Sequence, residues 1–265
     1  MTEPLIEVEA LHKTFTTGSW PRRGTPTVAI DDVSFQVAAG ESVGIVGESG
    51  SGKSTLASTV CGLLKPDSGR VLVKGQQIHA GRGFDRSVWR NVQMVFQDPY
   101  TSLNPAMTIE ETVAEPLRLW HRMTAPEARR RVEEILDLVG LTSTAAGRRP
   151  RGLSGGQLQR ASIARALAVS PEVLVLDESV SALDVSVQAQ ILELLLELKR
   201  DTGLAYLLIS HDISVIRLVC DRVMVMRHGR VVEECTAASL TPEGAAHEYT
   251  RRLLSAVPLL SADNG

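Results

Sequence analysis

The sequence predicts an α/β protein built around a parallel sheet, and three observations carry that prediction. Four short apolar runs, residues 42–46, 92–96, 173–176 and 204–209, have strand length and give way at once to glycine or polar residues. Val173-Leu174-Val175-Leu176 shows no polar alternation, which marks a strand covered on both faces, as helices cover a doubly wound sheet. Between the runs, apolar residues recur at helical spacing. Strands alternating with helices give the class.

Taken in order, residues 5–40 read as strands and turns around a loop rich in Gly, Pro and Arg at 18–26. Residues 69–78 add a strand pair, so a small antiparallel β-lobe is expected beside the parallel sheet. The stretch 100–168 reads as mostly helical. In it, Thr124 and Glu127 form a capping box, Val132, Ile135, Leu136 and Val139 make one apolar stripe, and Gly140 ends it. A further helix carries Val187, Ile191, Leu194, Leu195 and Leu198 behind Ser186 as its cap, with Gly203 as its stop. The tail, 236–265, holds one short helix and an end expected to fray. With 265 residues against about 150 per domain, the expectation is one domain with two fused lobes. Residues 1–99 and 171–235 would form the β-lobe and core, and 100–170 the helical lobe.

Composition excludes several functions. Apolar residues at 43% and charged ones at 22% are ordinary for a globular chain, so disorder is not its main state. A net charge of −3 offers no field for a polyanion, so nucleic acid is not an expected partner. No apolar run nears the roughly 18 residues that cross a bilayer, and MTEPLIEVEA is acidic where a secretory signal is basic, so a cytosolic chain is expected. Cys61, Cys220 and Cys235 are odd in number and widely spaced, which suits a reducing compartment and no disulfide or zinc framework.

The chemistry is concentrated in Gly47, Glu48, Ser49, Gly50, Ser51, Gly52, Lys53, Ser54 and Thr55, which satisfy GxxxxGK[ST] between a strand and a helical pattern. Glycines let successive N–H groups turn inward around phosphate oxygens, Lys53 reaches the terminal phosphates, and the Ser54 hydroxyl suits magnesium. The residues point to a nucleoside triphosphate site on a P-loop NTPase core. Ligands of such sheets bind beyond the carboxyl ends of the strands, and each remaining run ends in a usable group there. Gln97 follows the second run, Asp177 and Glu178 the third, and His211 the fourth. Ser154, Gly155, Gly156 and Gln157 open another helix, with Ser154 as cap. Two glycines weaken a helix start, which points to something, an anion by preference, approaching its N–H groups closely.

With these motifs in this order, the chain resembles the nucleotide-binding subunits of ABC transporters over nearly its whole length. GESGSGKST matches that family's phosphate loop, Gln97 its Q-loop, LSGGQ at 153–157 its signature, VLVLDE at 173–178 its magnesium strand and catalytic glutamate, SALD at 181–184 its D-loop with Asp184, and His211 its switch histidine. Phe15 stands where the family stacks an aromatic ring on adenine; a buried core Phe is the competing reading. The resemblance implies the ABC ATPase fold with ATP and Mg²⁺ as cofactors. It implies Ser54 and Gln97 on the metal with Asp177 bonding its waters, Glu178 and His211 as catalytic residues, and the Ser154–Gln157 signature closing over a partner subunit's ATP.

QDPYTSLNP at 97–105 and HEYTRRLLSAVP at 247–258 resemble the dipeptide, oligopeptide and nickel importer branch. Glu248 stands where that branch carries Pro, and RRPRG at 148–152 replaces a tyrosine, histidine and glutamate. The branch implies a second ATPase subunit that is a different protein, although this chain's complete motif set would also permit two copies of itself, with two transmembrane permease subunits, an extracytoplasmic substrate-binding protein and a place on the cytoplasmic face of the membrane. A soluble ABC-type ATPase of DNA repair or translation is the competing class, against which stand a single motif set and no sustained heptads. A kinase or GTPase sharing only the phosphate loop leaves LSGGQ without a use. Arg22 and Arg23, Arg129 to Arg131 and Arg148 to Arg151 read as solvated basic faces, with membrane headgroups as the other reading.

Overall fold

The computed structural model describes residues 3–16, 25–79, 88–179 and 183–255. Strand β1 (Ile6–Thr16) pairs antiparallel with β2 (Pro26–Val37), placing Ile6 opposite Val37 and Phe15 opposite Thr27. Residues 18–24 of the loop between them, with Arg22 and Arg23, lie outside the described residues. β3 (Ser42–Val46) leads through the glycine-rich loop into α1 (Lys53–Val60). β4 (Ser68–Val73) and β5 (Gln76–Gln77) then complete a four-stranded antiparallel sheet in the order β2-β1-β4-β5, the β-lobe expected from the sequence.

After α2 (Val88–Asn91) and β6 (Val92–Val95) come five helices: α3 (Pro99–Ser102), α4 (Ile109–His121), α5 (Ala125–Leu138), α6 (Ser143–Ala146) and α7 (Gly155–Leu167). The α5 capping box forms as expected, with the Thr124 N–H donating to the Glu127 carboxylate at 2.8 Å. Val132, Ile135, Leu136 and Val139 are all buried, and Gly140 turns the chain at φ +68°. An equivalent box, Thr108 with Glu111, starts α4.

The chain returns to the sheet through β7 (Val173–Asp177), α8 (Val185–Thr202), β8 (Ala205–Ile209), α9 (Ile213–Val219), β9 (Arg222–Arg227) and β10 (Arg230–Thr236), and closes with α10 (Glu248–Ser255). Ser186 does not cap α8. The cap is Asp184, whose ψ of 148° is non-helical, while Ser186 already lies inside the first turn. Gly203 stops the helix at φ +70°, as its position predicts.

The six-stranded sheet runs β10-β9-β3-β8-β7-β6 and is parallel except for β10 at its edge. It has a core on each face. Leu174 and Leu176 point into the layer that holds α4, α5, α7 and α8, while Val173 and Val175 point into the layer shared with α1 and the antiparallel sheet. An unbroken apolar run is therefore what a two-sided burial requires. The β9–β10 hairpin is a strand pair that the four runs did not mark. Arg222 and Arg227 bracket Val-Met-Val-Met with charge, and β10 carries Glu233 and Glu234, so neither reads as a buried run although β9 is one.

Candidate functional site

Because β3, β6, β7 and β8 are parallel and in register, their carboxyl ends form one rim. The glycine-rich loop sits on it, held tightly from two sides. A Cβ on Gly47, at φ +154°, would lie 2.2 Å from the carbonyl oxygen of Met226, and one on Gly52, at φ +106°, 2.0 Å from that of Ala29. Only glycine fits at either position. Ala29 of β2 and the β9–β10 turn thus shape the loop, and the Gly229 N–H donates to the Ser51 carbonyl at 3.0 Å. These contacts carry no motif and were not legible in sequence.

Lys53 is only 5% exposed, and its Nζ donates to the carbonyls of Gly47 at 2.8 Å and Glu48 at 2.9 Å. Burial pushes its ammonium down from the usual lysine range, against the pull of Glu178 and Asp177. The lysine lies curled against its own loop, so a cation is stored where phosphates would enter. Asp177, buried at the end of β7, accepts the Ser54 hydroxyl at 3.0 Å. Burial raises its pKa, Ser54 opposes that, Glu178 adds to it and Lys53 counters it.

Glu178 leaves the strand at φ +44°, a left-handed backbone that a non-glycine residue adopts at a cost of roughly 1–3 kcal/mol. Its N–H still donates to the Ile209 carbonyl at 2.9 Å, so the sheet fixes the kink. The kink turns the carboxylate toward the neighbouring strand ends. Gln97 Nε2 donates to Glu178 Oε2 at 2.9 Å, and His211 Nδ1 stands 3.6 Å from the same oxygen. The groups at the ends of three runs therefore meet, as their placement predicts.

Phe15 is 40% exposed, which excludes the buried core reading; it faces Thr27 across the ladder, two residues from the Ala29 that touches Gly52. Ser154 caps α7 with Gln157 in a reciprocal box, the Ser154 N–H donating to Gln157 Oε1 at 3.1 Å. Packing inside the chain gives Gly156 a different reason from the expected anion at the N–H groups: a Cβ there would lie 2.5 Å from Val187 Cγ1 of α8. Gly155 meets only Leu183, at 3.4 Å. Among the described residues, no hydrogen bond joins Ser154, Gly155, Gly156 or Gln157 to the phosphate loop. Asp184 is exposed at the start of α8, and Ser181 and Ala182 lie outside the described residues.

Residues 30–181 match the family model described as ABC transporter. The chain belongs to the ABC transporter family. It is 45% identical over 267 residues to the oligopeptide transport ATP-binding protein OppF of Bacillus subtilis (strain 168), covering 99% of this chain and 85% of that protein. Against the oligopeptide transport ATP-binding protein AppF of the same organism, identity is 45% over 97% of this chain and 79% of the relative. A solved dimeric ATP-binding cassette in a post-hydrolysis state with ADP and Pi superposes with a TM-score of 0.77 at 32% identity, over 88% of this chain and 98% of that one. As an ABC transporter subunit, the chain is an ATPase of the ABC fold. Among its described residues, no helix is long and apolar enough to cross a membrane.

Proposed function

We propose that this chain binds ATP at residues 47–55 with adenine on Phe15, hydrolyses it with Glu178 and His211, and drives an importer of short peptides. The meeting of Lys53, Asp177, Glu178, Gln97 and His211 on one rim carries the reading. Lys53 would leave the carbonyls of Gly47 and Glu48 for the terminal phosphates. Glu178, aimed by its kinked backbone, orients the attacking water and accepts its proton, and His211 stabilises charge developing on the transferred group. The Gln97 amide holds the carboxylate until substrate arrives.

The donors suit magnesium: a hydroxyl, an amide oxygen and a carboxylate are hard oxygen ligands, and Ser54 and Asp177 already touch. Ser54 and Gln97 would hold the ion, with Asp177 bonding its waters. When bound, Mg²⁺ neutralises charge on the phosphates.

The start of α7 supports pairing of two such subunits. Ser154 and its neighbours are accessible and bonded only within their own turn, so the signature would close over a partner's ATP, with Asp184 at the same face. A cavity of about 360 Å³ between α4, α7 and β6, lined by Met94, Phe96, Ser102, Leu119, Trp120 and Arg165, suits a permease element that feels the strand leading to Gln97 move. Membrane permease partners, two in number, an extracytoplasmic binding protein and a second, different ATPase subunit complete the system at the cytoplasmic face of the membrane. The cargo reading rests on relatives named for oligopeptide transport and on QDPYTSLNP and HEYTRRLLSAVP; nickel or another metal on a small chelator is the branch alternative.

The test is ATPase activity of the reconstituted complex with its binding protein. Stimulation by di- to pentapeptides supports the reading, and stimulation confined to sugars or free amino acids refutes the cargo while leaving the ATPase intact.

A further inference from the structure

The tail motif HEYTRRLLS marks a branch by resemblance but has no part in the chemistry above, and the fold gives it one. Helix α10 is seated against the hairpin: Glu233 of β10 accepts the N–H groups of Ala246 at 2.7 Å and His247 at 3.0 Å, and the Tyr249 N–H donates to His247 Nδ1 at 3.0 Å. Tyr249 and Leu254 are buried beneath it. The Arg227 guanidinium lies 4.8 Å from the Tyr249 ring centroid. So held, the phenol crosses 201 positions of sequence to accept the Glu48 N–H at 3.1 Å.

Glu48 is the second residue of the phosphate loop, and the flanking groups are already committed. Its carbonyl, with that of Gly47, receives Lys53 Nζ. Gly47 leaves no room for a Cβ beside the Met226 carbonyl, one residue before the Arg227 that stacks on Tyr249. One stretch of backbone is thus gripped by the lysine from the phosphate side and by the tail from the other. When Lys53 leaves for phosphate, the Tyr249 hydroxyl and the Met226 contact are what remain to hold it.

We propose that Tyr249 is a positioning residue for the phosphate loop: its hydroxyl fixes the Gly47–Glu48 segment so that the amides beyond it face the phosphates of ATP. The proposal rests on reading 47–55 as the phosphate loop. Its effect belongs to ATP binding, since the loop's shape, and not the water-activating carboxylate, depends on it.

Tyr249→Phe removes the hydroxyl and keeps the ring beneath Arg227. Hydrogen exchange of the Glu48 amide in the nucleotide-free full chain should accelerate, and affinity for ATP should fall by about three- to tenfold, the worth of one hydrogen bond. In the assembled complex, KM for ATP should rise with kcat unchanged. Thr124→Ala, which weakens the remote α5 cap by a similar amount, should keep the parent's affinity and KM. Unchanged Glu48 exchange, unchanged ATP affinity, an equal effect of Thr124→Ala, or a fall in kcat without a change in KM would each overturn the assignment. Lys53→Ala serves as the control for the site itself: if that change also leaves ATP affinity intact, the reading of the loop fails, and not the role of Tyr249 within it.

Discussion

Two glycine-bearing helix starts, at α1 and at α7, differ in how completely this chain occupies them. At α1 the loop is gripped by Ala29, Met226, Gly229 and Tyr249, its lysine is buried on its own carbonyls, and the carboxylates that answer it stand within the same rim. At α7 the first turn is satisfied only by Ser154 and Gln157, and Ser154 is exposed. The first is a site that one chain completes. The second is left open by this chain, and that difference is what the proposed pairing of two subunits accounts for.

The sharpest way to probe the complete half is Glu178→Gln. It keeps the size of the side chain but removes the carboxylate proposed as the base, so hydrolysis should fall by about 10²–10⁴-fold with ATP binding retained; steady-state turnover and nucleotide affinity measured in parallel check this. Near-normal turnover would remove Glu178 from its role. Ser154→Arg tests the incomplete half. Bulk and charge at the cap should reduce turnover of the assembled pair by at least about tenfold while this chain's own loop binds ATP normally. A mixed complex with Ser154→Arg in one subunit and the equivalent of Lys53→Ala in the other decides it: activity that ignores the partner's genotype would mean that each chain works alone.

Lys53→Ala reverses that pattern. It removes the buried cation proposed to meet the phosphates in the ground state, so ATP affinity should drop by about tenfold or more, read by titration with a fluorescent nucleotide. Gly156→Ala brings the smallest expected change and separates packing from ligand binding at α7. Its new methyl meets the stiff Val187, so stability should fall by about 1–3 kcal/mol in denaturant unfolding. Unchanged stability would show that α7 and α8 can part at no cost.

What the sequence determined is what lies close along the chain. Unbroken runs such as Val173 to Leu176 fixed the buried strands, Thr124 with Glu127 fixed a helix start, and GxxxxGKS fixed the glycine-rich loop between a strand and a helix, because strand burial, capping and backbone curvature depend on residues a few positions apart. Even the convergence of Gln97, Glu178 and His211 was legible, since parallel strands must end on one rim. Only the tertiary structure decided the rest. The β9–β10 hairpin, the carbonyls of Ala29 and Met226 that force Gly47 and Gly52, the Val187 contact at Gly156 and the reach of Tyr249 to Glu48 all join residues distant in sequence. Their atoms carry no periodicity or motif; the packing of one surface on another sets their distances, and a spacing along the chain cannot state that.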